Sequence, residues 1–399
     1  MDTQNTPVHI RLWNHDFWLL AIANMLLTMG VYMQMMYVPE WVKQYSGGGE
    51  MQIWSWVAYV VGLFSMGGFC SFLVQKYRRN RVCLQSLIVV MALLASPVFL
   101  GAFYKNNVVW TMPLLRFLTG AFFGLAQMVL ASTLVIDCCE APQRTEANYS
   151  TAWFYRFSLS LGPLLALMLF RFADMKVSIW VSAGLVALAF VLISLVKFPF
   201  RTPEDSLHRF SLDRFLLPGA WALFFQLLLV TMVLGMMMSV FFTCAHFFAW
   251  LMLGFLLALL AEKFVFMNAE LQSEMVTGLL LMMASLLLML TNSSDDVMYI
   301  VPVLTGLGTG LIGSRFILFF IKLSDHCQRG TSQSTYFLAW ESGIALGLGL
   351  GFQLVREQKP GESVDPWLDV YVVALVMTVV ALIVYVGFTH KWYLRHKNR

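Results

Sequence analysis

Residues 118–124 read LTGAFFG and residues 304–310 read LTGLGTG, and this pair decides how the chain is organised. Thr119, Gly120 and Gly124 return as Thr305, Gly306 and Gly310. At nearly the same offset Gly67, Ser71 and the run Gln75-Lys76-Tyr77 return in type as Gly254, Ala258 and Glu262-Lys263-Phe264. Gln143, Arg144 and Gly162 return as Gln328, Arg329 and Gly347. Each match is short, but order and spacing are kept throughout, as in a duplicated multi-helix unit.

The sequence around these motifs is apolar. Hydrophobic residues make up 59% of 399, charged residues only 12%, and mean hydropathy is +0.73. A soluble chain of this length needs a polar exterior that so few charges do not supply. The apolar runs instead reach the roughly 20 residues a helix needs to cross the hydrocarbon. Spans are expected at 17–38, 52–74, 82–103, 108–136, 147–170 and 177–198, then at 217–238, 241–261, 275–290, 297–321, 331–354 and 368–388. The expected fold is an all-α membrane protein of twelve transmembrane helices in two pseudo-symmetric six-helix bundles. Residues 1–200 and 215–399 form the bundles and 201–214 the linker, where Phe210, Leu212 and Phe215 suggest a short interfacial helix. The first apolar run is too long for a secretory leader and has no convincing small-residue cleavage site, so it reads as a retained span.

Charge gives orientation. Lys76, Arg78, Arg79 and Arg81, then Lys197, Arg201, Arg209 and Arg214, and finally Lys391, Arg395, Lys397 and Arg399 crowd the loops on the side of both termini, with Arg11. The opposite side has the sparser Lys43, Lys105, Arg171, Lys176, Arg356 and Lys359. The positive-inside rule then expects cytoplasmic termini in an inner or plasma membrane. It also explains the net charge of +4 without a nucleic-acid partner. The six cysteines, including vicinal Cys138-Cys139, have no metal-ligand spacing and read as membrane-edge thiols. The glycine-rich run from Gly343 to Gly351 lacks the lysine of a phosphate loop, and no hydrolase triad is visible. The expectation is a non-enzyme without cofactor or metal.

Charges within spans are costly unless they face a partner, water or the bundle interior. Arg116, Arg156, Arg315 and Glu341 are therefore the leading candidates for binding solute or coupling protons. Arg315 and Glu341 sit at similar depths on adjacent antiparallel spans and are expected to pair. Arg156 and Glu341 occupy equivalent places in the two repeats, with opposite charge. Glu341 is the first proton-carrier candidate, with Asp137 and Glu140 as secondary acids at the end of the fourth span. Arg116, close to the outer start of its span, is placed to snorkel towards water. Three arginines against one acid suggest an anionic or zwitterionic solute. Trp153 and Trp340 are candidate cavity walls, and His246 a candidate solute or proton contact. Trp54, Trp56, Trp110, Trp180, Trp367 and Trp392 read as interfacial belts. The paired glycines Gly120, Gly124, Gly306 and Gly310 permit close helix approach, and Gly162-Pro163 frees a backbone carbonyl within its helix.

On these motifs the chain resembles the major facilitator superfamily over nearly its full length. Gly67, Ser71, Gln75, Lys76, Arg78 and Arg79 match the family's loop between the second and third spans, although Gln75 replaces the usual acid. The second-half copy, Gly254, Glu262 and Lys263, keeps the acid and lacks the basic cluster. Arg116, Gly120 and Gly124 resemble the fourth-span signature, for which the family implies a role in proton access. Gly162-Pro163 resembles part of the fifth-span signature of antiporter branches. The resemblance implies alternating access around a central cavity, with these motif residues in conformational or gating roles. The expected function is secondary active transport of a small organic solute, coupled to protons, by a monomer among membrane lipids. Efflux follows the antiporter likeness. Uptake of a nutrient or metabolite by symport, and a non-transporting sensor or scaffold, are the alternatives.

Overall fold

The computed structural model describes residues 12–46, 50–100, 103, 108–198, 208–267, 269–291, 296–355 and 365–397. Arg11, Lys105, Arg201, Arg356, Lys359 and Arg399 of the loop charges, and 201–207 of the expected linker, lie outside them. Twelve helices are long and apolar enough to cross a membrane. They are α1 His15–Pro39, α2 Ile53–Lys76, α3 Arg79–Phe99, α4 Val109–Asp137, α5 Arg144–Phe172 and α6 Met175–Leu195. The second set is α7 Pro218–Val240, α8 Ala245–Phe264, α9 Leu271–Thr291, α10 Val297–Leu323, α11 Arg329–Leu354 and α12 Leu368–His396. In hydrocarbon each helix satisfies its own backbone, so packing between side-chain surfaces decides the arrangement.

That packing repeats. In the first half α1 lies on α5 and α6, α2 on α4, and α3 on α4 and α6. In the second half α7 lies on α11 and α12, α8 on α10, and α9 on α10 and α12, which is the same set moved six helices along. Between the bundles α2 meets α11 and α5 meets α8, and these two contacts exchange under the same operation. The fold is therefore two pseudo-symmetric six-helix bundles.

The opening motif explains two of the close crossings. A Cβ on Gly120 would fall on the Tyr59 carbonyl oxygen of α2, and one on Gly306 would fall on the Leu251 carbonyl oxygen of α8. Both glycines thus bring α4 onto α2 and α10 onto α8 at backbone distance. Gly120→Val is expected to cost about 3 kcal/mol, the upper end for overpacking, because a helix carbonyl cannot step aside as a side chain can. Thermal unfolding and size-exclusion profiles should show the loss. Gly184→Val, where a Cβ meets nothing within 4 Å, should behave as wild type.

The described part of the linker departs from expectation. Residues 208–217 form bends and turns rather than an interfacial helix. Phe215 and Phe210 dock instead on Gly67 and Gly68 of α2, whose missing side chains leave room for the rings, and Ser211 N donates to Gly68 O at 2.9 Å. Arg214 then turns the chain with a φ of 59°, the left-handed region that non-glycine residues rarely occupy. The turn is held from α11: Arg214 N donates to Thr331 Oγ1 at 2.9 Å, and that hydroxyl donates to Asp213 Oδ1 at 3.1 Å. A π-helical turn at Leu130–Leu134 interrupts α4 opposite this point, and Thr133 within it accepts from Arg214 Nη1 at 2.9 Å.

Candidate functional site

One face of α1 carries Asn24, Thr28 and Tyr32 at four-residue spacing, so all three point into the bundle in line. Asn24 donates to the Thr151 carbonyl of α5 at 3.4 Å, and Gln127 of α4 donates to Thr28 Oγ1 at 2.6 Å. Tyr32 ends the row. Its hydroxyl lies 3.1 Å from that of Tyr155 on α5, and both donate to Oε1 of Glu341, which comes across from α11 in the other half. Tyr59 of α2 donates to Glu341 Oε2 at 3.1 Å. Glu341 is 0% exposed, so these hydroxyls stand in for the water the carboxylate has lost.

Arg116 of α4 backs this cluster and is also 0% exposed. Its guanidinium carbon lies 4.4 Å from the ring centres of both Trp56 and Tyr59, and Nη1 donates to Gln34 Oε1 of α1 at 3.2 Å. Stacking on two aromatic faces is a favourable setting for a desolvated guanidinium. Arg116 attracts Glu341 electrostatically, and Tyr59 touches both.

A second cluster reaches the opposite way. Arg156 of α5, 0% exposed, lies 3.8 Å over the Trp153 ring, and its Nη1 donates to the Gly310 carbonyl of α10 at 3.0 Å. Trp340 stacks on Tyr336, and both pack against the Gly313 position beside Arg156. Tyr149 of α5 donates to Glu262 of α8, and Glu262 is attracted by Arg156 and Arg315. Arg315 of α10 donates in turn to Glu274 of α9. Arg156 and Glu341, equivalent in the repeats, each insert into the other half rather than meeting one another.

Five expectations are corrected here. Arg315 does not pair with Glu341: Glu274, on the neighbouring helix of its own bundle, takes it. Arg116 does not snorkel, because Trp56 and Tyr59 enclose it, and Trp56 is accordingly a 1% exposed stacking partner rather than part of an interfacial belt. His246 is exposed in the first turn of α8, outside both clusters. The surplus of buried arginines disappears once Glu262 and Glu274 join Glu341, which removes the basis for preferring an anionic solute. Asp137 is ion-paired with Arg79 at the end of α4, and Glu140 lies just beyond it, away from Glu341. Burial pushes the Cys138 and Cys139 thiols up to about 12, which disfavours the reactive thiolate form. Among the described residues no group of three His, Cys, Asp or Glu side chains is arranged to hold a metal ion.

The structure adds Tyr32, Tyr59, Tyr155, Gln34, Tyr149 and Glu274 to the site. The polar row on α1 was the available signal for Tyr32, and Glu274 lies one residue before the expected start of its span. The bundles also touch at both ends. Gly349 packs on Trp56 and Ile53, and Ser160 donates to the Phe248 carbonyl. At the opposite end Asn148 donates to the Arg329 carbonyl at 3.1 Å and Gly330 packs on the Ser132 carbonyl. The two charged clusters are enclosed between these closures.

A duplicated twelve-helix bundle is an architecture found among secondary transporters. The profile of the Major Facilitator Superfamily matches residues 20–269. The chain belongs to this superfamily. It is accordingly an integral membrane transporter of a solute and not an enzyme. Similar solved structures include the nucleoside transporter NupG, with a TM-score of 0.66 at 11% identity over 95% of this chain and 100% of that one. A bacterial homologue of the iron transporter ferroportin, in an outward-facing state, gives 0.64 at 14% identity over 96% and 100%. The human organic anion transporter MFSD10 gives 0.64 at 13% identity over 95% and 98%. At these identities the likeness is one of fold. No curated protein matches by sequence.

Proposed function

We propose that the protein is a proton-coupled secondary transporter of a small organic solute that works by alternating access, with Glu341 as the coupling carboxylate. The observation that carries this reading is the wholly buried Glu341 of one bundle clasped by tyrosine hydroxyls of the other. An ionised carboxylate accepts from all three tyrosines, whereas a protonated one becomes a donor and loses acceptor capacity. Binding or release of a proton therefore changes the strength of the contact that must break when the bundles rock. Arg156 and its acidic neighbours form the matching contact from the opposite bundle. Arg116, held by Trp56 and Gln34, backs the Glu341 cluster and attracts its ionised form.

Counterflow in proteoliposomes, screened over an untargeted metabolite mixture with and without an imposed pH gradient, tests the proposal. Accumulation of a solute that follows the gradient supports it, and the sign of the gradient that drives accumulation distinguishes efflux from uptake. Counterflow indifferent to the gradient refutes the coupling, and bound solute without counterflow favours the sensor reading.

A further inference from the structure

The hairpin between α8 and α9 sets two acids side by side. Glu262 lies in the last turn of α8 and Glu274 in the first turn of α9, so the short reversal between them returns both carboxyl groups to the same end of the bundle. They stand within hydrogen-bond reach of each other. Each has one engaged oxygen: Oε2 of Glu262 accepts from Tyr149 of α5, and Oε2 of Glu274 accepts from Arg315 of α10. The remaining oxygens, Oε1 of both residues, are buried with no hydrogen-bond partner.

No cation reaches these two oxygens. Among the described residues Arg315 is the one cation within ion-pair distance of either acid, and it takes Oε2 of Glu274. Arg156 of α5 attracts the pair only from a distance, since its Nε and Nη1 donate to the carbonyls of Ala152 and Gly310. Tyr336 of α11 and Tyr385 of α12 also face the acids, and Tyr393 of α12 faces Arg315. Tyr385 is engaged by His390 at 3.2 Å, and Lys263 and Glu270 on the hairpin itself are exposed. Two desolvated carboxylates in contact repel each other, and groups this close leave no gap for a water between them.

The geometry points to a second proton-binding site, in which Glu262 and Glu274 share one proton. Glu262 Oε1–H donates to Glu274 Oε1, and all four oxygens then have a partner. The helix ends decide which acid carries the proton. The C-terminal end of α8 bears partial negative charge and disfavours a carboxylate at Glu262, whereas the N-terminal end of α9 and Arg315 favour one at Glu274. On the alternating-access reading proposed above, Tyr149 belongs to the opposite bundle. Separation of the bundles at this point removes a donor that favours the ionised form of Glu262, and so tightens the hold on the proton.

The test uses full-length Glu341→Gln protein purified in detergent, which eliminates titration of Glu341 and needs no transport, so its outcome is independent of the coupling role of that residue. The infrared spectrum at neutral pH should contain a carboxylic C=O band that shifts in D2O, and Glu262→Gln and Glu274→Gln, each added to this background, should both remove it. Melting curves give a second reading. Rising pH strips the shared proton from the folded pair and leaves two carboxylates in contact, while in the unfolded chain both acids are already ionised, so stability falls as pH rises. The amide of Glu262→Gln supplies a permanent N–H towards Glu274, and its melting temperature should fall less between neutral and alkaline pH than that of the parent. Loss of the band in both variants, with the flatter profile, supports the site. Absence of the band from the parent, or its survival in either variant, overturns the shared proton. If Glu274→Gln does not fold, a Glu262→Gln profile as steep as the parent's overturns it equally.

Discussion

Glu341→Gln is expected to cut accumulation driven by a pH gradient steeply while leaving solute exchange across equal pH in place. Glutamine keeps the size of the side chain and one carbonyl acceptor for the tyrosine hydroxyls, so the closed arrangement of the bundles survives. It cannot take up or release a proton. Loss of gradient-driven accumulation should be roughly tenfold to a hundredfold, the span of ordinary coupling free energies. Glu341→Asp keeps the titratable group but withdraws it from Tyr32 and Tyr155, and should retain coupling at a reduced rate. Paired counterflow and gradient-driven uptake measurements separate the two effects. Full gradient dependence in a folded Glu341→Gln protein would move the coupling role to another acid.

Arg315→Met should destabilise the protein strongly by a different route. Glu274 is 0% exposed and Arg315 is the cation that bonds it, so removing the arginine strands a buried carboxylate beneath the apolar surface of α9 and α10. Breaking one side of such a pair costs about 3–5 kcal/mol, whereas replacing both partners by apolar groups of similar volume is often neutral. The double variant Glu274→Met with Arg315→Met is therefore expected to recover most of the thermal stability lost by the single one. Melting curves of the single variants and the double variant form the required cycle. Failure of the second change to rescue the first would mean that Arg315 supports the fold by contacts other than Glu274.

The fold was legible because both of its determinants are written in short-range patterns. Apolar length sets each span, and recurrence of Thr119-Gly120 as Thr305-Gly306 sets the duplication; the same glycines then lie at close helix crossings. Arg116, Arg156 and Glu341 were legible as site candidates because charge inside a span has few explanations. Their partners were not. Whether Arg315 meets Glu341 or Glu274 depends on how α9, α10 and α11 are rotated about their axes, and an apolar run without a sharp polar face leaves that rotation open. The tyrosines around Glu341 were hidden for a related reason. Tyrosine is common at membrane boundaries, so only its position beyond Asn24 and Thr28 on one helix face marks Tyr32 as inward-pointing. The turns of 208–217 depend on Gly67 and Gly68, far away in sequence, which a local aromatic pattern does not reveal.

The reciprocal insertion of Arg156 and Glu341 bears on how such a molecule is assembled. Neither bundle is self-sufficient: the first emerges from synthesis with a guanidinium one of whose two carbonyl acceptors, Gly310, has not yet been made, and the second carries an acid whose hydroxyl donors belong to its predecessor. Docking of the late half onto the early one therefore completes the polar pairing as well as the geometric closure, and a chain stalled between them would hold Arg156 with only its own-helix carbonyl and the Trp153 ring as partners.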